Sequence, residues 1–219
     1  MSEERGGVLA DQYFLIAHED RTGRSRLHPR ATGLGLAAAL IGELVLDGHL
    51  ELIDGDLLIA NRQPPGDALS HDILSLLIAQ PQHREVRTWL AYLSQDAAVR
   101  VGERLIRAGA VEPVTRRKML STTTFYMPNS AEQRNAAAWA PARLANLLVR
   151  GLEMSISDRV LAGLVAATGL TRHVLYDYEL HRQAFLMLPS TVGSLPGDLR
   201  ELIEYTEASV GSVLTVGRR

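Results

Sequence analysis

The sequence predicts a mainly α-helical, single-domain globule that carries two or three small β-hairpins. The 219 residues are 46% hydrophobic and 22% charged, which is typical of an ordered domain long enough to bury one substantial core. Apolar residues recur at helical spacing through most of the chain. Short runs of β-forming residues flank turn signals at a few places. We assign residues 1–6 to a flexible tail and residues 7–216 to the single domain.

The first predicted elements lie before residue 30. Residues 8–17 form an apolar run, and the charged turn that follows it contains Gly23, which permits a tight reversal. We interpret the run as a short helical turn leading into a strand, with residues 24–29 as the return strand. This interpretation gives the first hairpin.

The clearest predicted helix covers residues 34–46. Leu36, Leu40 and Leu44 lie on one face, and alanines and glycines fill most of the rest, which is typical of a helix packed on all sides. Thr32 is the expected N-cap. A hairpin is predicted next, because two apolar runs at residues 50–53 and 57–60 flank the turn dipeptide Asp54-Gly55.

Three helices are predicted after a loop rich in proline, over residues 67–80, 82–94 and 96–108. A second hairpin follows, from residues 110–114 and 120–126, with a basic tip that contains Arg116, Arg117 and Lys118 and is followed by Met119. The last predicted helices are a capping-box helix that begins at Ser130, a helix capped by Ser157, one that starts at Thr171, and one over residues 198–213.

Composition excludes several classes of function. The chain has no cysteine, which excludes disulfides, thiol catalysis and cysteine-based zinc sites. Its net charge is only -2, so any anion-binding site must come from local clustering of arginines. The N-terminus carries no signal-peptide pattern, and no run approaches the ~18 apolar residues of a spanning helix. We therefore expect a cytoplasmic protein that contacts membranes only peripherally, on their cytoplasmic face.

The search for catalytic chemistry is negative. Seven histidines stand at positions 18, 28, 49, 71, 83, 173 and 181, and none has metal-ligand spacing. There is no nucleophile elbow, no P-loop and no dinucleotide-binding fingerprint. We predict a protein that is not an enzyme and needs neither a metal nor a cofactor, although residues distant in sequence can still assemble a site.

Positive charge is clustered in three places. Residues 21–30 contain four arginines and no acid, residues 100–107 contain three arginines along one predicted helix, and the third cluster is the hairpin tip. Clustered arginines favour binding of an anionic surface, at about 1 kcal/mol per basic residue. The alternative is that each cluster is ordinary solvated charge paired with nearby acids.

The order of these segments resembles the Golgi phosphoprotein 3 family, over about residues 8–180. The similarity lies in residues 8–17, the turn at 20–23, residues 42–52 and 65–67, Trp89-Leu90, the arginine-rich helix at 100–110 and the core helix at 158–164. The richness in Ala, Leu and Arg is more like a bacterial member than a eukaryotic one.

The resemblance implies a helical fold and a peripheral membrane adaptor that binds phosphatidylinositol 4-phosphate. The family's eukaryotic pocket uses a Trp and three Arg, and the matching positions here are His28, Ala37, Gln95 and Ala98, none of which keeps the bidentate grip of arginine. The neighbouring arginines Arg30, Arg100 and Arg104, together with His28, are therefore the expected headgroup site.

The resemblance also implies that the hairpin at 110–126, with Arg116, Arg117, Lys118 and Met119, takes part in membrane contact or self-association. Two alternatives to this interpretation stay open. The first is a soluble, oligomeric interaction scaffold that has lost lipid binding. The second is a winged-helix-like nucleic-acid binder. The net charge of -2 argues against nucleic acid.

Overall fold

A computed structural model describes residues 8–118, 121–176 and 178–216. Within these ranges it is 63% helical, with ten helices and two antiparallel two-stranded sheets, which confirms the predicted fold class. The elements in chain order are α1 (Leu9–Ala17), α2 (Pro29–Leu46), β1 (Leu50–Ile53), β2 (Asp56–Ile59), α3 (Ala68–Ala79), α4 (Val86–Leu93), α5 (Ala97–Arg107), β3 (Glu112–Lys118), β4 (Ser121–Met127), α6 (Ala131–Arg150), α7 (Ile156–Ala167), α8 (Thr171–Val174), α9 (Tyr178–Gly193) and α10 (Gly197–Val216).

Helix α2 lies at the centre of the core. Every residue from Ala31 to Val45 is buried, and helices α1, α4, α5, α7 and α10 contact it. The prediction that this helix is packed on all sides is confirmed. The helix begins five residues earlier than predicted, at Pro29, because proline suits the first helical position and His28 provides the N-cap. Thr32, the predicted cap, lies inside the first turn.

The length and composition of α2 also correct one expectation. Among the described residues, α2 is the helix that is long and apolar enough to cross a membrane by these two criteria, whereas the sequence predicts no such segment. The prediction is wrong because alanine and glycine contribute to an 18-residue stretch of low polarity. In this fold 78% of that stretch is buried inside the protein, and a central core helix passes the same test.

The first predicted hairpin is wrong. Residues 9–17 form the helix α1, and the β contact in this region is an isolated bridge between His18 and Ser25. Tyr13, Phe14 and Ile16 are all buried, so α1 is covered on most sides. A short continuous apolar run does not distinguish a buried helix from a buried strand, and the tertiary packing decides here for the helix.

The hairpin around Asp54-Gly55 is confirmed. Strands β1 and β2 pair from Leu50 with Ile59 to Ile53 with Asp56. The two turn residues have φ of 52° and 84°, the left-handed conformations that a two-residue turn demands.

The second hairpin is confirmed, but its tip lies further along the chain than predicted. Arg116 pairs with Thr123 and Lys118 pairs with Ser121, so the basic residues belong to β3 and not to the turn. Met119 lies outside the described residues. For Arg117 and Lys118 the described part is the backbone, so of the three basic residues Arg116 is the one whose side chain can be placed.

The helices of the second half largely follow the predicted order. The capping box at Ser130 is confirmed: Gln133 N–H donates to Ser130 Oγ at 3.0 Å and Gln133 Oε1 accepts from Ser130 N–H at 3.1 Å. Helix α7 is capped by Ser155, not by Ser157, because the Ser155 hydroxyl accepts from the Asp158 N–H at 3.1 Å. The helix predicted at Thr171 is the single turn α8, which precedes α9.

Candidate anion-binding site

The basic segment, residues 21–30, is an ordered connection between α1 and α2. Backbone hydrogen bonds run from Arg26 N–H to Ala17 O at 2.8 Å and from Glu19 N–H to Arg24 O at 2.9 Å. The Ser25 hydroxyl oxygen lies 2.5 Å from that of Thr32 in the first turn of α2. These bonds fold the segment back over the end of α1 and attach it to the start of α2.

Gly23 allows the basic segment to pack directly against the second hairpin. Its φ is +65°, and a Cβ there would lie 2.8 Å from Met127 Cγ and 2.9 Å from Phe125 Cβ. The backbone of the turn therefore contacts β4 directly. On the same hairpin the Arg116 guanidinium lies 5.3 Å from the Phe125 ring centroid, a cation–π contact.

The arginines of the basic segment remain available to a ligand. All four side chains are exposed, and none makes an ion pair with another residue in the described part of the chain. Glu19, an acid close by in sequence, accepts a hydrogen bond from the Thr22 hydroxyl at 2.6 Å. The four arginines are Arg21, Arg24, Arg26 and Arg30.

His28 stands at the junction of the basic segment and α2. Its Nδ1 accepts a hydrogen bond from the Arg30 backbone N–H at 3.3 Å, which makes the imidazole the N-cap of α2. That bond requires an unprotonated Nδ1, so the ring proton is on Nε2. The exposed ring thus presents a donor next to Arg30.

Arg104 is not part of an exposed site. Its side chain is 7% exposed, and it lies among the carboxylates of Asp11, Glu43 and Asp67. We call these four residues the buried ion cluster. The guanidinium donates from Nε to Asp11 Oδ1 at 2.8 Å, from Nη1 to Glu43 Oε2 at 2.9 Å and Asp67 Oδ2 at 3.1 Å, and from Nη2 to Glu43 Oε1 at 3.0 Å. The predicted role of Arg104 in headgroup binding does not fit, because its donors are engaged inside the protein.

Each ionisable group of the cluster is perturbed by its surroundings. Burial raises the pKa of Glu43 and of Asp11 above the usual range, although Arg104 acts against that shift. Burial also acts to raise the pKa of Asp67, but the Ser70 backbone N–H and Arg104 outweigh it, and the pKa is lowered. Burial opposes the charge of Arg104, yet the three carboxylates raise its pKa above the ordinary value. The cluster is thus a structural group that joins α1, α2, α3 and α5.

Arg100 forms a weaker pair on the surface. Its Nε donates to Asp96 Oδ2 at 2.7 Å, one helical turn earlier, and the two side chains are 30% and 46% exposed. Exposed ion pairs of this kind contribute little to the stability of the fold, typically less than about 1 kcal/mol, and their side chains exchange partners readily. Arg100 therefore remains a residue that an external anion can recruit.

The four positions that the resemblance assigns to the family pocket carry no arginine here. His28 and Gln95 are exposed, Ala98 is partly buried, and Ala37 is completely buried inside α2. The start of α2 does approach the α4–α5 turn, since a Cβ on Gly33 would overlap the Ser94 carbonyl oxygen.

The rest of the described structure offers no metal cluster, but it contains a larger groove. Among the described residues, no group of three His, Cys, Asp or Glu side chains is arranged to hold a metal ion. The acidic groove between the β1–β2 hairpin and α10 has a volume of about 640 Å³, and its carboxylates outnumber its two arginines, Arg87 and Arg200. Its carboxylates are those of Asp54, Asp198, Glu201 and Glu204.

The comparisons with known proteins give one positive finding. A family model described as Golgi phosphoprotein 3 (GPP34) matches residues 9–205. Among curated proteins, no match is found.

Proposed function

Because the chain belongs to the Golgi phosphoprotein 3 family, we propose that it is a non-enzymatic, peripheral membrane adaptor that binds anionic lipid headgroups through its basic segment. The headgroup is phosphatidylinositol 4-phosphate or one of similar charge. The protein resides in the cytoplasm and binds the cytoplasmic face of the membrane reversibly, without a cofactor and without nucleic acid.

One observation carries this proposal: the arginines of the basic segment are exposed and form no ion pairs with other described residues, whereas Arg104 is buried in an ion cluster and Arg100 is paired. Each basic residue near an anionic bilayer contributes about 1 kcal/mol. A few of them hold a soluble domain weakly, so the attachment is reversible and sensitive to salt.

The proposed site residues are Arg26, His28, Arg30, Arg100 and Arg116. Arg26 lies at the fold-back of the basic segment, Arg30 lies at the start of α2, and His28, the N-cap of α2, precedes Arg30 by two residues. Arg100 joins them when it exchanges Asp96 for a phosphate. Arg116 extends the positive surface along β3, next to the place where Gly23 contacts the hairpin.

Liposome sedimentation tests the proposal. The full chain is mixed with vesicles of phosphatidylcholine alone, or of phosphatidylcholine with phosphatidylinositol 4-phosphate or phosphatidylserine. We expect pelleting only with the anionic vesicles, and an Arg26→Gln/Arg30→Gln variant should partition about 30-fold more weakly, the equivalent of two charges. The matched control is Arg62→Gln/Arg84→Gln, which removes the same charge beside β2. Equal pelleting with neutral and anionic vesicles would rule the function out.

A second candidate is a soluble, oligomeric interaction scaffold without lipid binding. It is favoured by the lack of arginine at the four aligned pocket positions and by the β3–β4 sheet, whose strands pair only with each other in the described part of the chain. Such a two-stranded sheet offers free edges for pairing with a second copy. Sizing should then give an oligomer whose size does not change with protein concentration. The oligomer should be lost when the dipeptide Asn-Gly replaces residues 116–123.

A further inference from the structure

An amphipathic groove lies between the end of α6, the start of α7 and the last turns of α9. It has a volume of about 270 Å³, and two of the residues that line it, Leu152 and Met187, are 47% and 37% exposed. Apolar surface that remains accessible inside a concave site favours an apolar ligand. The apolar side chains of the groove are those of Leu147, Leu148, Leu152, Met154 and Met187.

Arg159, in the first turn of α7, supplies the groove with a guanidinium that is only partly used inside the protein. Its Nη1 donates to the Ser194 hydroxyl oxygen at 3.2 Å and to the Ser194 carbonyl oxygen at 3.3 Å. Its Nε is buried and has no hydrogen-bond partner in the described part of the chain, and no hydrogen bond among the described residues uses its Nη2. Nε and Nη2 form an edge that can bind a carboxylate through two parallel hydrogen bonds. This edge therefore lacks the acceptors that buried donors require.

The charge of Arg159 is not neutralised by a neighbouring acid. The carboxylate of Asp158, the residue before it, is already engaged, because its Oδ1 accepts from Arg143 Nη2 at 2.6 Å. Glu153 also lines the groove, but it is exposed, and among the described residues Arg159 makes no ion pair. Solvent screens an exposed carboxylate strongly. The groove thus combines a cation with an apolar wall, which matches a ligand with an anionic end and an apolar body.

We propose that this groove binds a medium-chain fatty acid. The carboxylate accepts hydrogen bonds from Nε and Nη2 of Arg159, and the alkyl chain packs on the five apolar side chains. Arg159 is partly buried and has a flexible stem, so a change of rotamer turns this edge of the guanidinium toward the ligand. At about 30 Å³ for each non-hydrogen atom, the groove holds about nine such atoms, which corresponds to a chain of roughly eight carbons. None of the residues that line the groove belongs to the proposed headgroup site, so this inference does not depend on the proposed function.

A series of chain lengths tests the size and the charge of the ligand. The full chain is titrated calorimetrically with butanoate, hexanoate, octanoate and decanoate, each below the concentration at which it forms micelles. We expect saturable binding of octanoate at a single site, a gain of about two- to fourfold for each methylene up to octanoate, and little further gain for decanoate because the groove is then full. The uncharged 1-octanol should bind at least about tenfold more weakly. Absence of saturable octanoate binding, or equal binding of octanol and octanoate, overturns the inference.

Two substitutions test the two halves of the groove. Arg159→Gln should weaken octanoate binding about 10- to 100-fold, and Leu152→Ser should weaken octanoate more than butanoate, since the longer chain covers more of the apolar wall. The matched control is Arg172→Gln, which removes an exposed arginine of α8 that does not line the groove and should bind octanoate as the wild type does. Circular dichroism checks that each variant folds, and Leu152→Ser, at an exposed position, decides if Arg159→Gln does not. Unchanged affinity for octanoate in the folded variants contradicts the assignment of this groove.

Discussion

At the scale of single residues, Arg104 shows how a charge predicted to be on the surface becomes part of the core. The three carboxylates that bind it lie 93, 61 and 37 positions away in the sequence. The spacing of Arg100, Arg104 and Arg107 predicts a helix with basic residues, which is correct, but it says nothing about partners so far away. One signal was present: Glu43 is an acid inside an otherwise apolar helix, and a buried acid needs a cationic partner.

Removing the central cation of the buried ion cluster should be costly. Arg104→Met leaves Glu43 and Asp11 buried without their partner, so we expect the free energy of unfolding to fall by about 3–5 kcal/mol. Urea denaturation followed by circular dichroism measures it. The control is Arg107→Met on the exposed end of the same helix, which should change stability by less than about 0.5 kcal/mol.

A second substitution checks the electrostatic origin of that loss. Adding Glu43→Gln to Arg104→Met removes one unpaired charge and should recover part of the stability. The double variant could instead be less stable than Arg104→Met alone, by the full cost of a core substitution. In that case the stability lost in Arg104→Met comes from packing, and the ionic explanation is wrong.

His18 makes the stability of the fold depend on pH. Its ring stacks on Phe14 with centroids 3.9 Å apart, and its Nδ1 lies 2.9 Å from the Phe14 carbonyl oxygen. Burial lowers the pKa of this imidazole in the folded state. The unfolded chain therefore binds the proton more readily, and the stability contributed by neutral His18 is lost as the pH falls through the unfolded value of about 6.5.

This effect predicts that the stability of the wild-type chain and that of a His18 variant depend differently on pH. Between about pH 7.5 and pH 5 the wild-type chain should lose more stability than His18→Gln, which has no proton to take up there. Thermal unfolding at a series of pH values measures both curves. Curves that stay parallel through this range would mean that His18 contributes nothing to the acid sensitivity.

At the scale of elements, the close packing of α1 on α2 depends on a missing side chain. A Cβ on Gly35 would overlap the hydroxyl and the ring of Tyr13. Periodicity and small residues predict a helix here that is buried on all sides, and this is confirmed. They do not predict which glycine meets which ring, because that depends on how two helices cross.

The contact at Gly35 can be tested against a glycine of the same kind. Gly35→Ala should destabilise the protein by about 1–3 kcal/mol through overpacking, despite the better helix propensity of alanine. Gly211→Ala in α10, where nothing lies within 4 Å of the new Cβ, should instead stabilise it by about 0.5–1 kcal/mol. Chemical denaturation of both variants decides, and stabilisation at both positions would contradict the close approach.

The first hairpin shows where prediction of elements from sequence fails. For the hairpin at Asp54-Gly55 and the helix at Ser130, the turn dipeptide and the capping box are local and determine the structure by themselves. For residues 8–17 the only signal is hydrophobicity. The residues on either side of this run do not indicate whether it forms a helix or a strand. The choice is made by α2, α5, α6 and α7, which contact α1 from elsewhere in the sequence.

At the scale of the whole molecule, a net charge of -2 hides a strongly uneven surface. The basic segment presents four exposed arginines, while four carboxylates and two arginines line the acidic groove beside α10. Under the proposed function an anionic membrane attracts the basic segment and repels the groove carboxylates, which favours some orientations of the protein over others. The sequence predicts the cluster at residues 21–30, but the groove is assembled only by the fold, from β1, α4 and α10.

The pairing of α2 with α10 joins two segments that are far apart in the sequence. Helix α2 is an apolar segment as long as a membrane span, and α10, which packs along it, follows seven other helices. A variant without α10 would expose one side of α2 to solvent, although α1, α4, α5 and α7 would still cover the others. The exposed apolar side would then favour chaperone binding or aggregation.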